Sequence, residues 1–299
     1  MDQIKTVIAL GFFDGLHLGH GALLRTAKAR AAELGAEAAL LTFDIHPDTF
    51  VKKTQVELLC SPEDRQYIAK RFFGIEQLFY VHFNSETMHL SWQAFMENVT
   101  EKYQTVYFVI GHDFSCGDRG EGTAERLVQW CADRGLGCDV IAPVYHDGVL
   151  VSSTYIRELI RNGEMERAAE FLGHPHLLTD TVRTGFRIGR TMDFPTINMQ
   201  LADGVLEPRR GVYASRAILP DGSVYSAVTN IGMRPTFRGD RVTVETHILD
   251  FSGDLYGQRV CVELCRFLRE ERRFASPEAL SAQIRSDTAA AKAYFSEHK

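Results

Sequence analysis

His17 and His20 stand three residues apart with Gly19 between them, inside the run Gly11-Phe12-Phe13-Asp14-Gly15-Leu16-His17-Leu18-Gly19-His20-Gly21. Two imidazoles so spaced at the mouth of a helix can reach one bound anion. The apolar stretch Thr6-Val7-Ile8-Ala9-Leu10 precedes the run, and Ala22 to Leu34 reads as a helix after it. A strand, a glycine turn and a helix in that order aim backbone N–H groups and the positive end of a helix dipole at a phosphate. The chemistry suggested is the handling of nucleotide phosphates. By residue type alone the pair is equally well two solvent-facing turn residues. Its place at the first strand-to-helix turn, where open α/β sheets bind ligands, favours the anion site.

Other segments bring compatible groups to the same edge. Thr42-Phe43-Asp44-Ile45-His46-Pro47 closes a second strand candidate, so His46 and Pro47 fall beside the histidine pair. Gly111-His112-Asp113-Phe114 closes a fourth and carries Asp113. Val151-Ser152-Ser153-Thr154-Tyr155-Ile156-Arg157 reads as a helix start with hydroxyls at its cap and Arg157 on its first turn. Hydroxyls, a cation, imidazoles and exposed N–H groups together can cradle a triphosphate and stabilise charge at phosphorus during a displacement. A Walker A loop is not part of this inventory. Gly185-Phe186-Arg187-Ile188-Gly189-Arg190-Thr191 is one residue too short between its glycines and lacks the lysine.

The second half offers different chemistry. In Phe194-Pro195-Thr196-Ile197-Asn198 a hydroxyl and an amide sit two residues apart and project from one face of an extended chain. These are oxygen donors of the kind Mg²⁺ takes together with nucleotide phosphates. Glu245 lies in Val244-Glu245-Thr246-His247-Ile248, where alternation sets Val244 and Thr246 on the opposite face. A carboxylate turned into a barrel interior would be costly to bury unless it served a partner or a proton transfer. By residue type alone, Thr196 and Asn198 read as turn formers and Glu245 as a surface strand residue.

The elements that must position these groups fall into two patterns. Up to about residue 172, strand candidates (Thr6 to Leu10, Ala38 to Phe43, Gln77 to His82, Val106 to Gly111, Cys138 to Pro143) alternate with helical stretches (Pro62 to Phe72, Ser91 to Tyr103, Ala124 to Arg134). That alternation predicts a parallel sheet with right-handed crossovers. Ser153 to Leu172 continues as helix, interrupted at Gly163 and ended by Gly173. After His174-Pro175-His176 the chain becomes β-rich: Gly211 to Leu219, Ser223 to Asn230, Val242 to Asp250 and Val260 to Phe267, with turns between. A small antiparallel barrel or sandwich is predicted there. A last helix starts with Ser276 as cap and Pro277 at its first position, and runs to Phe295. The expected domains are residues 1–176 and 177–299.

Bulk properties exclude more than they assign. The chain has 299 residues, 45% hydrophobic and 24% charged, a length that suggests about two domains. No low-complexity tract is present and no apolar run nears the roughly 18 residues of a membrane span. The formal net charge of −6 argues against a general nucleic-acid binder. The start of the chain runs straight into the first strand, so no signal peptide is visible and a cytoplasmic location is expected. Six cysteines, Cys60, Cys116, Cys131, Cys138, Cys261 and Cys265, form no Cys-x-x-Cys and read as buried reduced thiols with no zinc.

Gly11 to His20, Thr42 to Pro47 and Ser152 to Arg157 resemble the adenylyltransferase module of bacterial bifunctional FAD synthetases, in the His-x-Gly-His nucleotidyltransferase superfamily. The resemblance implies a Rossmann-like nucleotidyltransferase fold and attack by the FMN phosphate on the α-phosphorus of ATP, with Mg²⁺ assisting and pyrophosphate leaving. His17, Gly19 and His20 would contact the ATP phosphates. Gly11, Phe12, Asp14, His46, Pro47, Ser152, Ser153, Thr154 and Arg157 would line the nucleotide site, and Asp113 falls in the family's Gly-x-[Asp/Asn]-Phe-x-Phe-Gly motif. Gly185 to Asn198, Thr229 to Phe237 and Val244 to Gly257 are similar to the riboflavin kinase module of the same enzymes, a Greek-key β-barrel with a flanking helix. That match implies that Thr196 and Asn198 hold Mg²⁺-ATP with Pro195 beside them. It makes Glu245 the base for the riboflavin 5′-hydroxyl, and sets Gly185, Gly189 and Arg190 in a loop near the nucleotide.

The implied partners are therefore riboflavin, FMN, FAD and ATP, with neither nucleic acid nor membrane; a weak homo-oligomer stays open. Two departures bear on activity. Cys116 replaces the motif's second aromatic and is followed by Asp118 and Glu121 where basic residues are usual, which removes positive charge near a triphosphate. Asp193 replaces the glycine before Phe194-Pro195-Thr196. The alternatives to a two-step enzyme are a riboflavin kinase with a degenerate first module, and a non-catalytic flavin- or nucleotide-binding regulator.

Overall fold

The computed structural model describes residues 4–51, 56–183, 194–236 and 239–298. The chain divides into two compact units, Met1–Leu58 with Arg65–Ser153 and Leu59–Asp64 with Thr154–Lys299. Gly185, Gly189, Arg190 and Asp193 lie outside the described residues.

In the first unit, strands β1 (Thr6–Leu10), β2 (Glu37–Phe43), β3 (Gln77–Val81), β4 (Thr105–Gly111) and β5 (Gly137–Ile141) form a parallel sheet in the order β3-β2-β1-β4-β5. Every residue of β1 is buried, as befits a central parallel strand with helices on both faces. Ile8 and Leu10 meet Phe108 and Ile110 of β4 in a core closed by α3 (Trp92–Tyr103) and α4 (Ala124–Asp133). Helix α1 (Leu18–Leu34) also packs on β1, β2 and β4, and α2 (Pro62–Phe73) runs between β2 and β3 in sequence. The strand order reverses between β1 and β4, so the crevice beyond their carboxyl ends is where such a sheet receives a ligand. Gly11 and Asp113 stand at those two ends.

The second unit contains α5 (Ser153–Asn162) from its second residue onward and α6 (Met165–Leu172), the two halves of the interrupted helical stretch. Its sheet is wholly antiparallel: β6 (His176–Thr181), β7 (Ile197–Gln200), β8 (Gly211–Ile218), β9 (Val224–Thr236), β10 (Gly239–Ile248) and β11 (Arg259–Arg269), in the order β6-β11-β8-β9-β10-β7. A bridge between Arg183 and Asn198 joins the two edges, with the Arg183 N–H donating to the Asn198 carbonyl at 2.9 Å. The open choice between barrel and sandwich is thus resolved as a nearly closed barrel. Strands β6 and β7 were not foreseen, and β9 and β10 are longer than their apolar patterns.

Inside the barrel, Ser215, Thr229 and Thr246 form a buried hydroxyl chain with contacts of 2.7 and 2.9 Å. Each polar group there is satisfied by its neighbour, which makes its burial tolerable. Outside, α7 (Pro277–Glu297) covers Val212, Ala214 and Val228 with Ala291, Tyr294 and Phe295. It is pinned by the Arg269 guanidinium on both Asp287 oxygens at 2.8 to 3.1 Å.

The short segment from the first half that belongs to this unit is held the same way. Ser61 and Asp64 cap α2 reciprocally, the Asp64 N–H to Ser61 Oγ at 3.0 Å and the Ser61 N–H to Asp64 Oδ2 at 3.2 Å. The buried Asp64 carboxylate also accepts from the Thr179 N–H at 3.0 Å and from the Thr179 hydroxyl. Burial raises its pKa above the ordinary carboxylate value, against those hydrogen bonds. None of the six cysteines is in a disulfide; five are buried and Cys138 is half-buried. No helix among the described residues is long and apolar enough to cross a membrane.

Candidate functional site

The glycine run folds as a tight turn followed at once by helix. Phe13 (φ 57°) and Leu16 (φ 43°) both occupy the left-handed region, which costs a side-chain-bearing residue about 1–2 kcal/mol. Both are fully buried, so packing on either side holds the turn in place, a form of local strain that clusters at functional sites. Helix α1 starts at Leu18 rather than Ala22, which places Gly19, His20 and Gly21 in its first turn. The physical reason is capping: His17 is the N-cap and its Nδ1 accepts from the His20 N–H at 3.4 Å, while the Gly21 N–H donates to the His17 carbonyl at 2.8 Å.

The two imidazoles stack face to face, with centroids 3.7 Å apart and planes 14° from parallel. Gly19 permits this, because a Cβ there would stand 3.1 Å from the His17 ring. Burial, and then the neighbouring His17 and Arg65, hold the His20 pKa well below its ordinary value. His20 is half-exposed as a residue, but its Nδ1 is shut off from solvent and has no hydrogen-bond partner. A neutral His20 imidazole in the first turn of the helix still has one ring N–H to offer a phosphate.

Several sequence-expected residues converge here. Phe12 meets the His46 ring edge-on at 4.4 Å, and the His46 Nδ1 accepts from the Asp48 N–H at 3.1 Å in the short helix that Pro47 begins. Asp14 is buried, and its carbonyl accepts from the Ser153 hydroxyl at 3.2 Å, which ties the serine motif to the glycine turn. Ser152 immediately precedes α5; Thr154 and Arg157 stand on its first turns, within the second unit. Asp113 is largely exposed beyond β4, with Oδ1 3.9 Å from His112 Nδ1.

The departure after Phe114 has a structural account. Cys116 is buried in the core around α3 and α4, where burial pushes its thiol up to about 12. Asp118 faces His89, with Oδ1 3.4 Å from Nδ1. Gly117 and Gly122 let this loop lie on Trp92: a Cβ on either would come within 2.5 Å of it.

In the barrel, Asn198, Glu245 and Asn230 occupy one row across β7, β10 and β9, since Glu245 is the register partner of both asparagines. Thr196 lies one step along, near His247, whose Nδ1 is 2.9 Å from the Pro195 carbonyl and whose ring meets Phe194 edge-on at 5.5 Å. The Glu245 carboxylate lies outside the barrel, as its residue type alone suggested. Val244 and Thr246 fill the barrel, and Glu245 is half-exposed on the outer face. There it lines a cavity with Thr196, Asn230, His247, Phe274, Leu280 and Ile284. A second cavity is lined by Pro195, Thr196, Ile197, Phe251, Asp254 and Tyr256. Thr196 is common to both.

Three contributors escaped sequence reasoning. Glu271 accepts from the Asn230 side-chain amide at 3.3 Å and presses on Gly232, where a Cβ would meet its carboxylate at 2.1 Å. Phe274 lines the cavity that holds Asn230 and Glu271. Arg65 is buried under Phe12, its guanidinium carbon 4.5 Å from the ring centroid. Nothing local marks these residues; each sits in a polar stretch that reads as solvated.

A nucleotide-ready turn at the switch point of a parallel sheet, and an oxygen-rich row on a small barrel, define a two-module ATP-using transferase. Residues 1–155 match the family model described as FAD synthetase and residues 172–295 the one described as riboflavin kinase. Proteins named bifunctional riboflavin kinase/FMN adenylyltransferase are similar along nearly their whole length. Those of Listeria monocytogenes and Bacillus subtilis are each 35% identical over 99% of this chain and 94% of their own. That of Escherichia coli K12 is 32% identical over 98% and 94%. A crystal structure described as a macrolide-efflux protein from Streptococcus pneumoniae shares the fold, with a TM-score of 0.81 and 29% identity over 98% of this chain and 95% of that one. The chain belongs to the bifunctional riboflavin kinase/FMN adenylyltransferase family.

Proposed function

We propose that the chain makes FAD in two ATP-dependent steps, each at the site gathered within one unit: riboflavin to FMN on the barrel, then FMN to FAD on the parallel sheet. The observation that carries this reading is that Thr196 joins two cavities, one of them bearing Glu245. Riboflavin in the Glu245 cavity and ATP in the other would meet at Thr196. Glu245 takes the proton of the 5′-hydroxyl, whose oxygen attacks the γ-phosphorus while ADP leaves.

The Thr196 hydroxyl and the Asn198 amide carbonyl, on one face with Glu245 opposite Asn198, are a donor set suited to Mg²⁺, which takes few protein oxygens alongside phosphates. Mg²⁺ bound there would neutralise charge on the transferring group.

At the other site, a phosphate oxygen of FMN attacks the α-phosphorus of ATP and pyrophosphate departs. The His17 and His20 side chains and the first N–H groups of α1 receive the charge that develops. Gly11 and Gly19 let the backbone approach, Phe12, Asp14, His46, Pro47, Ser152 and Ser153 shape the pocket, and Asp113 borders it from β4. The family matches span both modules, which favours neither a kinase-only chain nor a non-catalytic binder.

Purified protein given riboflavin, Mg²⁺ and ATP, with flavins resolved by chromatography, is expected to accumulate FMN and then FAD. Absence of FMN overturns the kinase assignment, and FMN without FAD overturns the adenylyltransferase assignment.

A further inference from the structure

Arg65 lies in the first turn of α2 and is completely buried. Its Nη1 donates to the Thr42 hydroxyl at 2.8 Å and to the Phe43 carbonyl at 3.0 Å, both neutral acceptors at the carboxyl end of β2. The Thr42 hydroxyl in turn donates to the Phe12 carbonyl at 2.7 Å, so Arg65 is built into the glycine turn. Its Nε and Nη2 have no hydrogen-bond partner, and His20 Nδ1 nearby has none either. Among the described residues no carboxylate pairs with it.

This is an unusual way to keep a cation. A guanidinium cannot shed its proton to escape burial. An uncompensated buried charge is among the most destabilising features a fold can hold, and an apolar side chain of similar volume would pack the site better. A structural arginine therefore normally finds a carboxylate or fills all its donors. Here the neighbours are Phe12, His46 through Phe12, and His20, which are the residues already gathered at the sheet's ligand-binding edge. The charge that the loop at Asp118 and Glu121 fails to supply is present instead beneath the turn.

We propose that Arg65 is a phosphate-binding residue of the adenylyl-transfer site, its unpartnered Nε and Nη2 donating to a phosphate oxygen of ATP or FMN. The electron-rich face of Phe12, which now covers the guanidinium in a cation–π contact, gives way to the anion. A planar two-donor edge suits a phosphate oxyanion better than a point charge does. This inference rests on the adenylyltransferase reading above.

The test uses the full chain and compares wild type with Arg65→Met and Arg65→Lys. FAD formation is followed with ATP varied at saturating FMN, and with FMN varied at saturating ATP. Riboflavin phosphorylation and the ligand-free melting midpoint serve as controls. Arg65→Met is expected to keep the wild-type midpoint and FMN formation while kcat/KM for adenylylation falls about a hundredfold. A rise in KM for ATP identifies the triphosphate as the anion held; a rise for FMN identifies the flavin phosphate. Adenylylation within threefold of wild type, or a fall with both KM values unchanged, overturns the proposal. If Arg65→Met melts early or cannot be purified, Arg65→Lys decides. It keeps the charge without the fork, so about a tenfold loss is expected and wild-type kinetics overturn the proposal. Failure of the wild type itself to form FAD would instead remove the reading on which this rests.

Discussion

Asn198 and Glu245 are direct register partners across β7 and β10, on the outer face of the barrel. A carboxylate opposite an amide, one step from Thr196, places a proton acceptor beside the proposed metal ligands without burying it in the interior. Glu245→Gln keeps the size and removes the acceptor. FMN formation is expected to fall by about 10²- to 10⁴-fold, while FAD formation from supplied FMN is unchanged. Chromatography of the two reactions run separately checks both halves, and equal losses in the two would refute the assignment.

The stacked histidines make the opposite split. His20→Ala removes one imidazole from the N-terminus of α1 and should cost FAD formation about 10²- to 10³-fold. Phosphorylation of riboflavin should continue at the wild-type rate. A variant that still makes FAD from FMN at full speed would remove His20 from the reaction.

Gly117 carries φ +80° and leaves no room for a side chain, since a Cβ would come 2.4 Å from the Trp92 nitrogen. Gly117→Ala therefore meets both backbone strain and a clash with main chain. A loss of roughly 1–3 kcal/mol is expected, seen as a lower melting midpoint together with reduced adenylylation. An unchanged midpoint would show that the loop from Cys116 can leave Trp92 at little cost.

His176 is buried, its Nε2 has no partner, and burial followed by the charge of His174 lowers its pKa to about 3. The unfolded chain, with an ordinary value near 6.5, takes up this proton first as pH falls. The contribution of neutral His176 is thus fully present above about pH 6.5 and is lost as pH drops toward 3, with a slope of up to about 1.4 kcal/mol per unit. Denaturant midpoints measured from pH 7 to pH 4 should fall, and His176→Gln should flatten that fall. Parallel curves for the two proteins would refute it.

Much of the first unit was legible in sequence because buried parallel strands are written as apolar runs: β1 begins and ends where the pattern does. The histidine turn was legible because it is local, with the turn, the cap and both imidazoles within eleven residues. What escaped depended on tertiary contact. Strands β6 and β7 are too short and too polar, as in His176-Leu177-Leu178-Thr179-Asp180-Thr181, to announce themselves before β11 and β10 pair with them. Period-two reasoning put Val244 and Thr246 on the face opposite Glu245 but could not say which face was the interior. Arg65, beside Glu63 and Asp64, reads as a solvated helix start, and only the fold reveals that it is enclosed.

The hexapeptide Leu59–Asp64 belongs to the barrel's unit although it is encoded between β2 and β3. A recombinant barrel beginning at residue 172, where the kinase match starts, would leave Asp64 behind and strip both the amide and the hydroxyl of Thr179 of their acceptor. Two polar groups without that partner cost about 1–3 kcal/mol each if they stay buried. Transplanting the kinase as residues 172–295, or losing the other half by truncation, therefore carries a stability cost set by a carboxylate written far upstream.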